Sequence, residues 1–307
     1  MKNFLLLGVL SLLCLLSCKR MPLYVKEPSV KLDLELDLEE GTIPVPEHMK
    51  ACFFASDGGE LYNTHFVGSD GGNLSVASGT YTLLVYSFGT EYIQIRGEGS
   101  LETIEAFTSD ITASKHSAFR RLAGTKAGED APIYYAPDYL LVAMATIEVP
   151  EFTGENILAE VQLEPSSVVQ TYSFEVTQVE GIDYVESAEA YVTNQARSYF
   201  IGRMVASTEP ATLWFPIEVD RESGVLETKF NTFGVLPGGS QTYIHFVVRN
   251  SGGQEVTFSK DITDQLANPD HKIVVDEEIT IPKPSGPSGF SPEVDPWQEE
   301  TRDVPIG

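Results

Sequence analysis

Val30-Lys31-Leu32-Asp33-Leu34-Glu35-Leu36-Asp37-Leu38 alternates strictly between aliphatic and charged side chains. Because successive side chains of a strand point to opposite faces, this period of two predicts a half-buried β-strand whose aliphatic face covers a core. The carboxylates on the other face have two interpretations, the solvated face of a sheet or a set of ligands for calcium.

Further short strands follow, with turn signals between them. Asp57-Gly58-Gly59 separates Lys50–Ser56 from Leu61–Val67, and Asp70-Gly71-Gly72 precedes Leu74–Ala77. Glycine adopts positive φ without a Cβ clash, so both turns are typical of β-hairpins. Neither has the dense acidic spacing of a calcium loop, and we therefore predict a hairpin at each.

The second half of the chain shows the same succession of short strand-like segments. No segment keeps a helical period over four turns. Thr263–Leu266 is expected to form one helical turn. Many short strands at even spacing predict an all-β protein, and the length of 307 residues is enough for two tandem β-sandwiches. The predicted division is 1–17 signal peptide, 18–29 lipidated tether, 30–155 N-terminal β-sandwich, 156–282 C-terminal β-sandwich, and 283–307 Pro/Gly linker with an acidic, Trp-containing tail.

The first residues predict export and lipidation. Lys2 is followed by an apolar run from Phe4 to Leu16, which suits a signal-peptide core and is shorter than the roughly 20 residues needed to span a bilayer. Ser17 places a small side chain directly before Cys18, as in a lipoprotein cleavage site, whereas Cys14 follows the larger Leu13. We predict that Cys18 becomes the first mature residue and carries acyl chains; the alternative is an ordinary secretory signal that contains a cysteine.

Charge narrows the classes of partner. Removal of residues 1–17, which hold Lys2 and no acidic residue, changes the formal net charge from −25 to −26. Such a surface repels nucleic acid and anionic membranes, so we expect no nucleic-acid partner and expect the membrane to be reached through lipid on Cys18.

The sequence carries no recognisable catalytic or metal-binding motif. The five histidines are scattered, and neither a phosphate-binding loop nor a Gly-x-Ser-x-Gly elbow occurs. Cys52 lies in the apolar run Ala51-Cys52-Phe53-Phe54 and is expected to be a core residue. We expect a protein that is not an enzyme and needs no cofactor; a hydrolase assembled from distant residues is the alternative.

Beyond Pro282 the composition changes to a polar linker rich in Pro and Gly, followed by Phe290, Val294 and Trp297. Burial of a Trp and a Phe is worth far more than that of a methyl group, so these three residues are candidate docking positions. The segment is expected to dock as an added strand or a hook, on its own domain or on a partner. The alternative is a disordered acidic end.

An ordered set of short motifs along nearly the whole mature chain resembles a Bacteroidota lipoprotein family of unknown function. These motifs are Ser17-Cys18, Leu23-Tyr24, Phe53 to Gly59, Gly79-Thr80-Tyr81, Ala136-Pro137-Asp138, Thr232-Phe233-Gly234, Asp261-Ile262-Thr263-Asp264-Gln265, Ile281-Pro282 and Val294-Asp295-x-Trp297. That family is similar to the fimbrillin anchor and fimbrillin-like proteins. The resemblance implies two tandem β-sandwiches of transthyretin-like, Greek-key topology in an outer-membrane lipoprotein of the cell envelope.

Two classes of function follow from the resemblance and the residues. The first is a fimbrial anchor or assembly subunit whose sheet edges accept a strand from a fimbrial partner. The second is a surface binding module for glycan or host protein. A displaceable strand would favour the first class, and an exposed aromatic cluster at loop tips would favour the second. Lys19-Arg20-Met21 after the cysteine, where surface-exported lipoproteins often carry acids, leaves both membrane leaflets open.

Overall fold

The computed structural model describes residues 29–38, 44–57, 59–111, 132–151, 153, 158–236 and 241–284. Within these ranges the regular secondary structure is almost entirely β-strand, which confirms the predicted all-β fold class. One α-helical turn, α1 (Thr263–Leu266), lies where the sequence predicted it, and a 3-10 turn spans Ile182–Tyr184. The strands are β1 Ser29–Leu36, β2 His48–Ala55, β3 Leu61–Val67, β4 Gly71–Ala77, β5 Gly79–Phe88, β6 Ile93–Arg96, β7 Glu105–Thr108, β8 Ile133–Tyr135, β9 Leu141–Val149, β10 Leu158–Leu163, β11 Ser166–Ser167, β12 Gln170–Val176, β13 Val179–Glu180, β14 Val185–Ala196, β15 Ser198–Phe200, β16 Val205–Ala206, β17 Pro210–Asp220, β18 Val225–Thr232, β19 Tyr243–Asn250, β20 Glu255–Asp261, β21 Lys272–Val275 and β22 Ile279–Thr280.

The N-terminal sandwich packs a three-stranded sheet, in the order β10-β1-β4, against a five-stranded sheet, in the order β11-β9-β5-β2-β3. Leu32, Leu34 and Leu36 of β1 are buried in the core between the two sheets. Lys31 and Glu35 lie exposed on the opposite face, so the alternation read in the sequence is confirmed.

The five-stranded sheet is covered on both faces. Ala51 and Phe53 of β2 lie in the core shared with β1, while Cys52 and Phe54 lie in a second core on the other face. A four-stranded sheet, in the order β16-β15-β7-β6, contributes to that second core. This three-layer arrangement explains the unbroken apolar run in β2, because a strand buried on both faces has no solvent-facing positions. Cys52 is fully buried, as predicted, and burial raises the pKa of its thiol to about 11.

The C-terminal sheet has eight strands. It folds over so that its two parts form facing layers, and these layers enclose a third core. Its long strand β17 belongs to both layers, since residues 210–217 pair with β14 and residues 218–220 pair with β18. Phe174, Phe215, Phe230 and Phe246 lie in the core enclosed by this fold.

One predicted hairpin is confirmed and the other is wrong. β2 and β3 pair as antiparallel neighbours, as the first turn predicted. After Asp70-Gly71-Gly72, however, β4 pairs with β1 in the other sheet, while β3 pairs with β2. Gly71 lies at φ 100°, and a Cβ there would come within 1.9 Å of the Leu34 carbonyl oxygen. The glycine therefore lets the chain cross to the opposite layer in close contact with β1.

Strand pairing ties the two halves of the chain together. Residues 158–163 and 166–167, which the sequence division assigned to the C-terminal domain, pair with β1 and β9 of the N-terminal sheets. β7 pairs with β15, and β8 pairs in parallel with β17. Strand pairing does not test whether the two halves can fold as separate units. The predicted domain boundary near residue 155 therefore stays a prediction.

Candidate functional site

The residues singled out from the sequence, Cys18, Phe290, Val294 and Trp297, all lie outside the described residues and stay predictions. The part of the chain that the structure describes contains no helix long and apolar enough to cross a membrane.

β1 is the strand that follows the predicted tether, and it is inserted between two partners. It pairs in parallel with β10, from Lys31 opposite Leu158 to Leu36 opposite Leu163. On its other side it pairs antiparallel with β4, from Ser29 opposite Ala77 to Glu35 opposite Gly71. Burial of each leucine side chain contributes about 1.5–3 kcal/mol, so this first strand is held by a core as well as by two ladders.

The outward carboxylates of β1 do not form a recognisable metal centre. Glu35 and Asp37 are exposed, and Asp33 is half-buried. Among the residues described, no group of three or more His, Cys, Asp or Glu side chains could hold a metal ion.

An aromatic patch, defined by His48, Phe66 and Phe88, lies on the surface beside the edge strand β3. Phe66 is 66% exposed, and its ring centroid is 5.0 Å from that of Phe88. His48 stacks on Phe88 at 5.8 Å. The Lys50 ammonium lies 5.7 Å from the Phe66 centroid and forms an ion pair with Glu98.

A groove of about 270 Å³ adjoins the aromatic patch and is lined by both phenylalanines, Ile93 and Ile95. Such a groove beside an open strand edge could receive an apolar side chain from an added strand. The sequence alone does not reveal this patch, because both faces of β3 carry large side chains and their exposure depends on which neighbouring elements cover them.

A buried polar cluster fastens the N-terminal half to β15. Glu105 on β7 is 7% exposed, and it accepts hydrogen bonds from the Ser198 hydroxyl and, at 2.6 Å, from Arg96 Nε. The guanidinium of Arg197 lies 3.7 Å from the centroid of the Tyr134 ring. Burial alone would raise the pKa of the Glu105 carboxyl, but these hydrogen bonds and the positive charges of Arg96 and Arg197 outweigh it and lower that pKa.

We expect Glu105→Gln to destabilise the protein at neutral pH. The amide keeps the shape of the side chain but loses the charge that faces the half-exposed Arg96, which should reduce the free energy of unfolding by about 1–2 kcal/mol. A carboxyl whose pKa is lower in the folded state stabilises the fold above its unfolded pKa, and this contribution disappears as pH falls through the folded pKa. The stability difference between variant and wild type should therefore shrink below about pH 4.

Urea unfolding at pH 7 and pH 3.5 measures this difference. Glu102→Gln is the matched control, because Glu102 is exposed on the preceding turn and its replacement should change stability by less than about 0.5 kcal/mol. An equal loss at both pH values would show that the charge of Glu105 is not the cause.

Comparison with known proteins finds a relative whose name refers to fimbriae and a solved structure with a similar fold. It is 28% identical, over an alignment of 333 residues covering 96% of both chains, to a Bacteroides ovatus protein that is named as a fimbrium anchoring subunit, Fim4B. Its fold is similar to the crystal structure of a protein described as an adhesin from Bacteroides ovatus, with a TM-score of 0.58 and 23% identity. That similarity covers 85% of this chain and 95% of the other.

The family model described as "Domain of unknown function (DUF5119)" matches residues 17–216, about two thirds of the sequence. The match begins at the residue before Cys18 and continues through both N-terminal sheets into β17 of the C-terminal sheet. The chain therefore belongs to the DUF5119 family.

Proposed function

We propose that this protein is a non-enzymatic lipoprotein of the cell envelope that anchors fimbriae or takes part in their assembly. The observation that carries the proposal is the alignment over 96% of both chains with the relative named as a fimbrium anchoring subunit. An alignment of this extent includes both halves of the fold, so the likeness is not limited to one domain.

The position of β1 supports an anchoring role in mechanical terms. Cys18 precedes Ser29 by eleven residues, which span at most about 40 Å when extended. Tension between the lipid and the folded protein would pull β1 along its own axis. Because β1 is bonded to β10 and β4 on its two sides, the bonds of both ladders would be loaded together rather than one at a time.

The membrane is reached through acyl chains on Cys18 in this proposal, and the outer membrane is the expected location. A protein of this negative charge gains no attraction from anionic lipid, and a single acyl chain binds only reversibly, with an association constant of about 10⁴ M⁻¹. Stable attachment therefore requires the two or three chains of a lipoprotein.

Fimbrial subunits would associate by strand addition at a sheet edge. β3 is the last strand of its sheet among the described residues, and it contributes Phe66 to a groove that is lined by aromatic and aliphatic side chains and by the Lys50–Glu98 ion pair. Backbone pairing would supply affinity, and the groove would select one side chain of the added strand.

A surface that binds glycan or host protein is the second candidate, and the exposed Phe66 favours it. Within the aromatic patch, Phe66 lies on the edge strand β3, while His48 begins β2 and Phe88 ends β5, so the patch crosses three neighbouring strands near their ends. The outer edge of β3 beside Phe66 favours an added strand over a glycan platform, because backbone pairing requires an available strand edge.

The test is retrieval of the tagged full-length protein from its native envelope, with identification of the proteins that accompany it. Fimbrial subunits are expected, and deletion of the gene should release fimbriae into the medium. Fimbriae that stay attached to the cells, together with retrieval of no fimbrial subunit, would contradict the anchoring role. Binding of the purified protein to arrayed glycans, lost in Phe66→Ala, would favour the second candidate.

A further inference from the structure

The described chain leaves the fold beside the turn that begins β20. Asn250 Nδ2 donates a hydrogen bond of 2.8 Å to the Pro282 carbonyl oxygen. A Cβ placed on Gly252, in the turn between β19 and β20, would lie 3.1 Å from Cβ of Pro284. Pro284, the last described residue, therefore lies beside the turn that leads into β20.

β20 is the outermost strand of its sheet among the described residues. Val256 and Phe258 are only half-buried, and both pack at the rim of the C-terminal core. The edge therefore leaves apolar surface that an additional strand would cover.

The opposite edge of this sheet is closed by a side chain. On β21, Val274 N donates to Gln265 Oε1 at 2.7 Å, and Gln265 Nε2 donates to the Val274 carbonyl oxygen at 3.2 Å. The side-chain amide of Gln265 thus makes the pair of hydrogen bonds to Val274 that the backbone of a neighbouring strand would make. No side chain of the described residues bonds the backbone of β20 in this way.

The sequence after the linker is suited to pairing along one edge only. Phe290-Ser291-Pro292-Glu293-Val294-Asp295-Pro296 alternates between apolar and polar residues, with every apolar residue of this stretch at an even position, whereas the following Trp297 is at an odd position. In a strand, the N–H and C=O groups of alternate residues point to the same side. Both prolines are even, so the two missing N–H donors would fall on one edge, and the other edge would keep every donor.

We propose that residues 290–297 add to β20 as the outermost strand of the C-terminal sheet. The odd residues would pair with β20, and the ring nitrogens of the two prolines would lie on the outer edge of the added strand, where their lack of N–H groups ends the sheet. Phe290 and Val294 would lie on the inward face and cover the half-buried Val256 and Phe258.

The length of the linker sets the direction of the added strand. Six Cα–Cα steps join Pro284 to Phe290 and span at most about 22 Å, whereas the Asp261 end of β20 lies about 20 Å beyond Glu255, which is itself three residues past Gly252. Only a fully extended linker would approach that far end. The added strand therefore starts at the Glu255 end and runs parallel to β20. Parallel pairing already occurs in this sheet between β12 and β21.

Amide hydrogen exchange of the isolated full-length protein, read residue by residue by NMR, tests the proposal without any fimbrial partner. The amides of Ser291, Glu293 and Asp295 should exchange at least about tenfold more slowly than in a peptide of residues 285–307, and that of Val294 should stay fast. Exchange at peptide rates throughout, or equal protection of Val294, would overturn the proposal.

A pair of variants at Glu293 isolates the backbone donor. Glu293→Pro removes an N–H from the paired edge and should abolish protection at residues 291 and 295 and at alternate amides of β20. Glu293→Ala keeps that N–H and should retain the protection. If Glu293→Pro exchanges like wild type, residues 290–297 do not pair with β20. Because these measurements involve no fimbria, they are independent of the proposed function.

Discussion

Replacement of Cys18 by alanine is expected to move the protein from the membrane fraction to the soluble fraction. In the proposed function, acyl chains on Cys18 hold this acidic chain to the bilayer, and each buried methylene contributes about 0.8 kcal/mol. Two or three chains make release negligible, so the membrane-bound fraction should fall from nearly all of the protein to background.

Growth with a labelled fatty acid, followed by fractionation, measures both the lipid and the location. Cys14→Ala is the matched control, since it makes the same change four residues earlier, inside the apolar run. It should keep both the label and the membrane attachment. Label that persists in Cys18→Ala, or retention of that variant in the membrane without label, would refute the assignment.

Leu34→Ala is expected to reduce the free energy of unfolding by about 3 kcal/mol, within the range of 2–5 kcal/mol for leucine truncations in a core. Leu34 is 1% exposed in the middle of β1, where strands on both sides limit how far the cavity can collapse. A loss of this size is a large fraction of the total stability of a typical domain.

Glu35→Ala changes the next residue, on the exposed face of the same strand, and should cost less than about 0.5 kcal/mol. Urea unfolding of both variants provides the comparison. Equal losses in the two variants would show that the alternation along β1 does not define its buried face. A loss below about 1 kcal/mol in Leu34→Ala would show that β1 contributes little to the core.

The two stretches of sequence with the clearest patterns differ in how much they could predict. In β1 the charged residues mark the solvent side, so the buried leucines could be assigned before any partner strand was known. In β2 both faces are apolar, and the run Ala51–Phe54 does not show that Cys52 and Phe54 contact a different core from Ala51 and Phe53. A period of two identifies a face only when one face is polar.

The error at Asp70-Gly71-Gly72 has a related origin. The glycines do mark a turn with left-handed backbone, as predicted, since Gly71 adopts a positive φ. Whether the next strand pairs with the previous one or crosses to the facing sheet depends on which core its side chains enter. Leu74 and Val76 of β4 enter the core shared with β1, and that choice is not encoded in the turn.

By itself, the sequence determined the all-β class, the buried face of β1, the burial of Cys52 and the helical turn at Thr263–Leu266, because each depends on contacts or side-chain patterns within a few residues. Only the tertiary structure decided that β10 joins β1, that β7 joins β15 through Glu105 and Ser198, and that His48, Phe66 and Phe88 meet on one surface. These pairings join residues far apart in the chain. Backbone hydrogen bonds are alike at every position, so the partner of a strand is selected by how whole layers bury their apolar faces, a property that no local pattern contains.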